Sequence, residues 1–80
     1  MDMYVLIDTF NNRVLSKHRT IAACVTADST FLRKLKKNNG ASSYIPTTIK
    51  SVGANGKYHE LSDAERAEEI EAEYALYNKK

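Results

Sequence analysis

Thr20-Ile21-Ala22-Ala23-Cys24-Val25-Thr26-Ala27-Asp28-Ser29-Thr30-Phe31-Leu32-Arg33-Lys34-Leu35-Lys36-Lys37-Asn38-Asn39-Gly40 is the stretch that decides the fold. Ile21, Cys24, Val25, Phe31, Leu32 and Leu35 recur at helical spacing. Gly40 stands where a helix C-terminus favours glycine, and Lys36 and Lys37 fall in the last turn, where the helix dipole favours cations. A second reading stays open: Asp28 or Ser29 can cap a shorter helix and leave Thr20–Thr26 as a strand. We adopt one long helix from Thr20 to about Asn39.

Working outward, Tyr4-Val5-Leu6-Ile7 is aromatic and β-branched and reads as a strand. Asn11-Asn12 signals a turn, and Arg13–Lys17 returns as a second strand. Beyond Gly40, Tyr44–Val52 is β-rich. Pro46 lacks an N–H, so this strand starts there or lies on a sheet edge. Gly53-Ala54-Asn55-Gly56 is a hairpin turn into a short return strand, Lys57–Glu60. Ser62-Asp63-Ala64-Glu65 is a capping box that opens a helix running to about Tyr77. Leu61, Ala64, Ala67, Ile70, Tyr74 and Tyr77 fall on one face of it, at three- and four-residue steps. The order is β-β-α-β-(β)-α. It predicts an α+β fold, a small antiparallel sheet of three to four strands on a central helix, with an acidic C-terminal helix.

Eighty residues make one domain, divided into a core at 1–60 and the helical segment 61–80. Such a chain buries only about 60–65% of its unfolded surface. Its expected stability therefore lies toward the low end of ~5–15 kcal/mol. Cys24 is the single cysteine, so no disulfide helps; it sits among Ala22, Ala23 and Val25 and reads as a small core hydrophobe. One cysteine suits a reducing cytoplasm. The start of the chain lacks the cationic region of a signal peptide, and no stretch approaches the ~20 apolar residues of a membrane span. The expectation is a cytoplasmic chain with no membrane partner.

The charge is divided. Residues 1–58 hold nine Lys/Arg against three Asp/Glu, a net of +6, whereas residues 59–80 hold three against seven, a net of −4. Lys17 and Arg19 precede the central helix, Arg33, Lys36 and Lys37 share one of its faces, and Lys50 adds charge from the β region. Such a face suits a polyanion, held by phosphate contacts without base readout. Tyr44 or Tyr58 would supply stacking on bases. The alternative is a solvated helix end that keeps a small protein soluble. The acidic helix can cover the basic face or meet a basic partner. Ile70, Tyr74 and Tyr77 are its candidate partner-binding residues, seating it on its own body or in a dimer seam, and leave the oligomeric state open.

Other chemistry finds little support. Gly53-Ala54-Asn55-Gly56 matches the letters of a KH-domain GxxG loop, but that loop joins two helices and these flanks read as strands. A phosphate-binding P-loop is excluded, because Ser51 and Tyr58 occupy positions that require Gly and Ser/Thr. His18 and His59 have no metal-ligand spacing, and no metal or other cofactor is expected. His59, Asp8 and the hydroxyls supply triad members in type but not in any informative spacing. No catalytic residue is assigned, and the chain is read as a non-enzyme.

The stretch Val14 to Leu35 leads from a short strand through Arg19-Thr20 into an Ala-rich helix, with Phe31 and Leu35 one turn apart. It resembles the hairpin-plus-helix unit of small DNA-binding minidomains of mobile elements. It is also similar to compact β-α-β proteins carried by phages, some of them inhibitors of host defence. The resemblance rests on pattern and transfers no functional residue. It implies a phage or mobile-element accessory role. The leading expectation is a small non-catalytic module that binds nucleic acid with little sequence specificity. The alternative is a protein-interaction module, an accessory factor or inhibitor of a host system.

Overall fold

A computed structural model describes residues 3–78; Met1, Asp2, Lys79 and Lys80 lie outside the described residues. The elements are β1 (Met3–Asp8), β2 (Arg13–His18), α1 (Ile21–Asn39), β3 (Thr47–Val52), β4 (Tyr58–Glu60) and α2 (Asp63–Tyr77). The strands form one antiparallel sheet in the order β2-β1-β3-β4, so the fold is α+β.

The hairpin turns follow from their residues. Asp8 ends β1, and its carboxylate accepts from the backbone N–H groups of Phe10 and Asn11 and from the Asn11 amide, each at 2.9 Å. Asn12 completes the turn with a φ of 55°, which Asn tolerates better than most side chains. At the second hairpin Gly53 C=O accepts from Gly56 N–H, and Gly56 takes the φ of 81° that the turn needs.

The segment Thr20–Gly40 is one continuous helix with its caps. Thr20 is extended and its hydroxyl accepts from Ala23 N–H, while Gly40 N–H closes on Lys36 C=O. Asp28 therefore caps nothing. Its carboxylate accepts from the Thr47 hydroxyl at 2.7 Å, tying mid-α1 to β3. β3 begins immediately after Pro46, whose carbonyl accepts from both Thr9 N–H and the Thr9 hydroxyl. The strand lies inside the sheet, between β1 and β4, so Tyr44–Pro46 is a lead-in rather than strand, and the edge placement does not apply.

Strand parity sorts the side chains into two layers. Tyr4 and Leu6 of β1 and Ile49 of β3 face the helices and join Ile21, Cys24, Val25 and Leu61 in the core. Leu15, Ala27, Ala72 and Leu76 pack against that cluster. Val5 and Ile7 point to the other face of the sheet. There the register places Lys17 and Lys50 on either side of Val5, and Val14 and Thr48 on either side of Ile7. Both helices lie on the Tyr4/Leu6 side.

The apolar stripe of α1 is buried at Ile21, Cys24 and Val25 but only half-buried at Phe31, Leu32 and Leu35. At 1.5 Å per residue α1 is about 28 Å long, whereas six-residue strands span about 20 Å. The last turns of α1 project past the sheet, and Lys36 through Asn39 are exposed.

α2 docks with a face other than its most apolar one. The half-buried residues are Glu65, Arg66, Glu69, Ala72 and Leu76, while Ala64, Ala67, Ile70, Tyr74 and Tyr77 are exposed. Docking of the Ala/Tyr face on its own body is thereby excluded. Leu61, just before the helix, anchors it in the core.

Candidate functional site

The six cations expected to form one nucleic-acid surface fall in three places. Arg33, Lys36 and Lys37 stand at i, i+3 and i+4 on the outward side of α1, and all three are exposed, as is Lys34. The described ion pairs join Lys50 to Glu60 at 3.1 Å and Arg66 to Glu60 and Glu69 at 3.0 Å each, so none uses these α1 cations. They project from the overhanging end of the helix, where the carbonyls of its last turn also favour positive charge.

Arg19 is separate. It precedes the Thr20 cap and borders an open groove of about 550 Å³, with Tyr4, Ile21, Ala72 and Ala75 inside it and Glu68 and Glu71 opposite. Arg19 stands fourteen positions before Arg33, and from Ile21, where the helix begins, to Arg33 the rise is about 18 Å. Lys17 and Lys50 are on the other layer, facing away from both helices. Lys50 is held by Glu60, which Arg66 also contacts; hydrogen bonding and charge from Lys50, ahead of Arg66, push the Glu60 carboxyl below its ordinary range. Tyr58 is on this open sheet face too, opposite Val52, and is partly exposed.

α2 does not cover the basic face. Its carboxylates meet α1 near Arg19 and near Asp28, away from the exposed cations at the helix end. A cavity of about 150 Å³ lies where α1, α2 and the lead-in to β3 meet, lined among others by Asp28, Glu69, Glu73, Tyr44 and Tyr77. Burial, and then the charges of Glu69 and Asp28, push the Glu73 carboxyl above its ordinary range. Tyr44 is 67% exposed, but this acidic setting opposes a phosphate backbone, so its exposure does not extend the basic face.

Ile70, Tyr74 and Tyr77 are 66%, 70% and 71% exposed, an unusual state for three large side chains on one helix face. They and Ala67 follow a 3-4-3 spacing along α2.

Cys24 is fully buried in the core, and burial pushes its thiol up to about 11, so it is not a thiolate at neutral pH. Asp8 and His59 do not meet. Their β3 partners, Thr47 and Ser51, are four residues apart, about 13 Å along the strand. His18 bonds Ser16 through Nε2 at 2.8 Å. Among the described residues no group of three His, Cys, Asp or Glu is placed to hold a metal ion, and no helix is long and apolar enough to cross a membrane.

Two functional-looking contacts escape the sequence reading. Tyr4 Oη donates to Glu65 Oε2 at 3.1 Å, and Asp28 with Glu69 and Glu73 builds the acidic seam between the helices. For Asp28 the signal is its place on the apolar stripe, four residues after Cys24; for Glu65 nothing local marks the partner sixty-one positions away. Comparison with family models, curated proteins and solved structures gives no match.

Proposed function

We propose that this chain is a non-catalytic binding module that holds nucleic acid on the outward face of α1, with little sequence specificity. The observation that carries this reading is the exposed group Arg33, Lys36 and Lys37, free of the described ion pairs, on a helix end that overhangs the sheet. A convex helix end reaches a phosphate backbone without moving the body, and Lys34 adds a fourth contact from the adjacent side. Lys17, Arg19 and Lys50 lie too far round the molecule to join the same footprint.

The test is fluorescence anisotropy with labelled single- and double-stranded DNA and RNA, run as a salt series. Four phosphate contacts give a log–log slope of about −3 to −4 on duplex DNA. Arg33→Glu/Lys36→Glu/Lys37→Glu is expected to abolish binding. Lys17→Glu, on the opposite layer, is expected to leave it within about two-fold, because a distant charge is screened at physiological salt. Absence of binding at low salt removes the reading and leaves a protein-interaction module in its place.

A further inference from the structure

α2 turns outward the face that its sequence pattern marks for burial. Ile70, Tyr74 and Tyr77 are each about two-thirds exposed or more, with Tyr77 also lining the cavity beside Tyr44. Their spacing with Ala67, three, four and three residues, is the spacing of a helix that meets another helix along a seam. Tyrosine is well suited to such a surface, since it contributes large contact area at little conformational cost.

Area and charge select the occupant. At ~200 Å² per large aromatic side chain, Tyr74 and Tyr77 together with the smaller Ile70 offer on the order of 400 Å² of surface. A stable complex needs about 800 Å² from each partner, so the flanks of the stripe must supply the remainder. Those flanks are Glu71, which also borders the groove opposite Arg19, on one side and Glu73, at the rim of the acidic cavity, on the other; both residues are exposed, on a helix with six carboxylates and one arginine. Arg66 is committed to Glu60 and Glu69. Two copies of α2 laid seam to seam would bring these carboxylates together in either orientation, which costs free energy that so small an apolar area does not recover. A segment with an apolar spine and lysine or arginine on its flanks meets both requirements.

We infer that the Ile70, Tyr74 and Tyr77 stripe of α2 is a docking surface for a basic amphipathic segment of a partner protein. The surface is distinct from the α1 face and does not depend on nucleic-acid binding. The partner's apolar spine lies along the three side chains, and its cations sit beside Glu71 and Glu73.

The probe is a fluorescein-labelled synthetic helix of three heptads, with Leu at the a and d positions and Lys at e and g, titrated with the full chain. Binding is expected, and Ile70→Ser/Tyr74→Ser/Tyr77→Ser is expected to weaken it by about ten-fold or more. Because these side chains are exposed, the variant should keep the wild-type Tm and its affinity for nucleic acid. Glu71→Gln/Glu73→Gln should weaken binding less and flatten its salt dependence, and it serves as the second variant if the first fails to fold. Equal affinity of wild-type and stripe variant overturns the proposal, as does equal affinity for a control peptide with the leucines replaced by serine. A dimer in sedimentation that the stripe variant dissolves would overturn it too, by making a second copy the occupant.

Discussion

Asp8 shows how much one side chain organises here. It is fully buried, yet three donors from the following turn reach it. The Asn11 amide is the largest influence holding its carboxyl below the ordinary value of 3.8; the Asn11 backbone N–H acts the same way, and burial only partly opposes them. A depressed folded pKa means that the charged form stabilises the fold above the unfolded value, and that this contribution is lost as pH falls through the folded value. Asp8→Asn, which keeps one acceptor oxygen but cannot titrate, is therefore expected to have a lower Tm than wild type at pH 7. The gap should narrow as the pH is taken below about 3.8, the reference value of the unfolded carboxyl. Thermal melts of both proteins from pH 7 to pH 2 check this, and a constant gap would rule out the carboxylate as its source. The turn itself is legible in Asn11-Asn12, since the asparagine that takes positive φ is one of the pair. The role of Asp8 is not, because a strand-ending aspartate looks alike whether it is solvated or collects three donors.

At the scale of the element, α2 is set by its first turn. Ser62 and Glu65 exchange hydrogen bonds in a complete capping box, and the same Glu65 carboxylate accepts from the Tyr4 hydroxyl across the domain. Ser62→Ala is expected to cost about 1 kcal/mol in urea unfolding, as for other N-caps. Glu65→Ala should cost more than either Ser62→Ala or Tyr4→Phe alone, because it removes the local and the cross-layer bonds together. Equal costs for Glu65→Ala and Ser62→Ala would show that the Tyr4 contact contributes nothing. Local signals of this kind made the elements readable: caps at Thr20 and Ser62, Gly40 past the end of α1, and the two turns. The docking face of α2 is not a local property. Ile70, Tyr74 and Tyr77 form its most apolar stripe, but Leu61 anchors the start of the helix in the core, and Ala72 and Leu76 are the side chains that pack against that core. The inward glutamates find partners in Ser62, Tyr4 and Arg66. A pattern of side chains says what gains from burial; the chain's path decides which face reaches the core.

For the molecule as a whole, the division of charge was visible in the sequence, but its distribution was not. Lys17 and Lys50 fall on the open sheet face through strand parity, and only the register reveals that both flank Val5. The division between 1–60 and 61–80 is likewise one of charge, since Leu61, Ala72 and Leu76 belong to the shared packing. A chain ending at Glu60 would lose them and expose Tyr4 and Leu6. Burial of one leucine is worth about 1.5–3 kcal/mol, a large part of what a domain this size has in reserve. The truncated chain is expected to melt without a cooperative transition, and a sharp transition near the wild-type Tm would show that α2 is dispensable. The bond from Tyr4 to Glu65 has a consequence for the order of events during folding. It joins residues sixty-one apart, so it forms only after a large loop has closed. The first hairpin and α1 can assemble earlier from nearby residues, but one side of that intermediate stays uncovered until the last helix arrives. As the chain leaves a ribosome, this is the interval in which an unfinished sheet invites pairing with a neighbour. The exposed Arg13 and Lys17 along the β2 edge are well placed to discourage it.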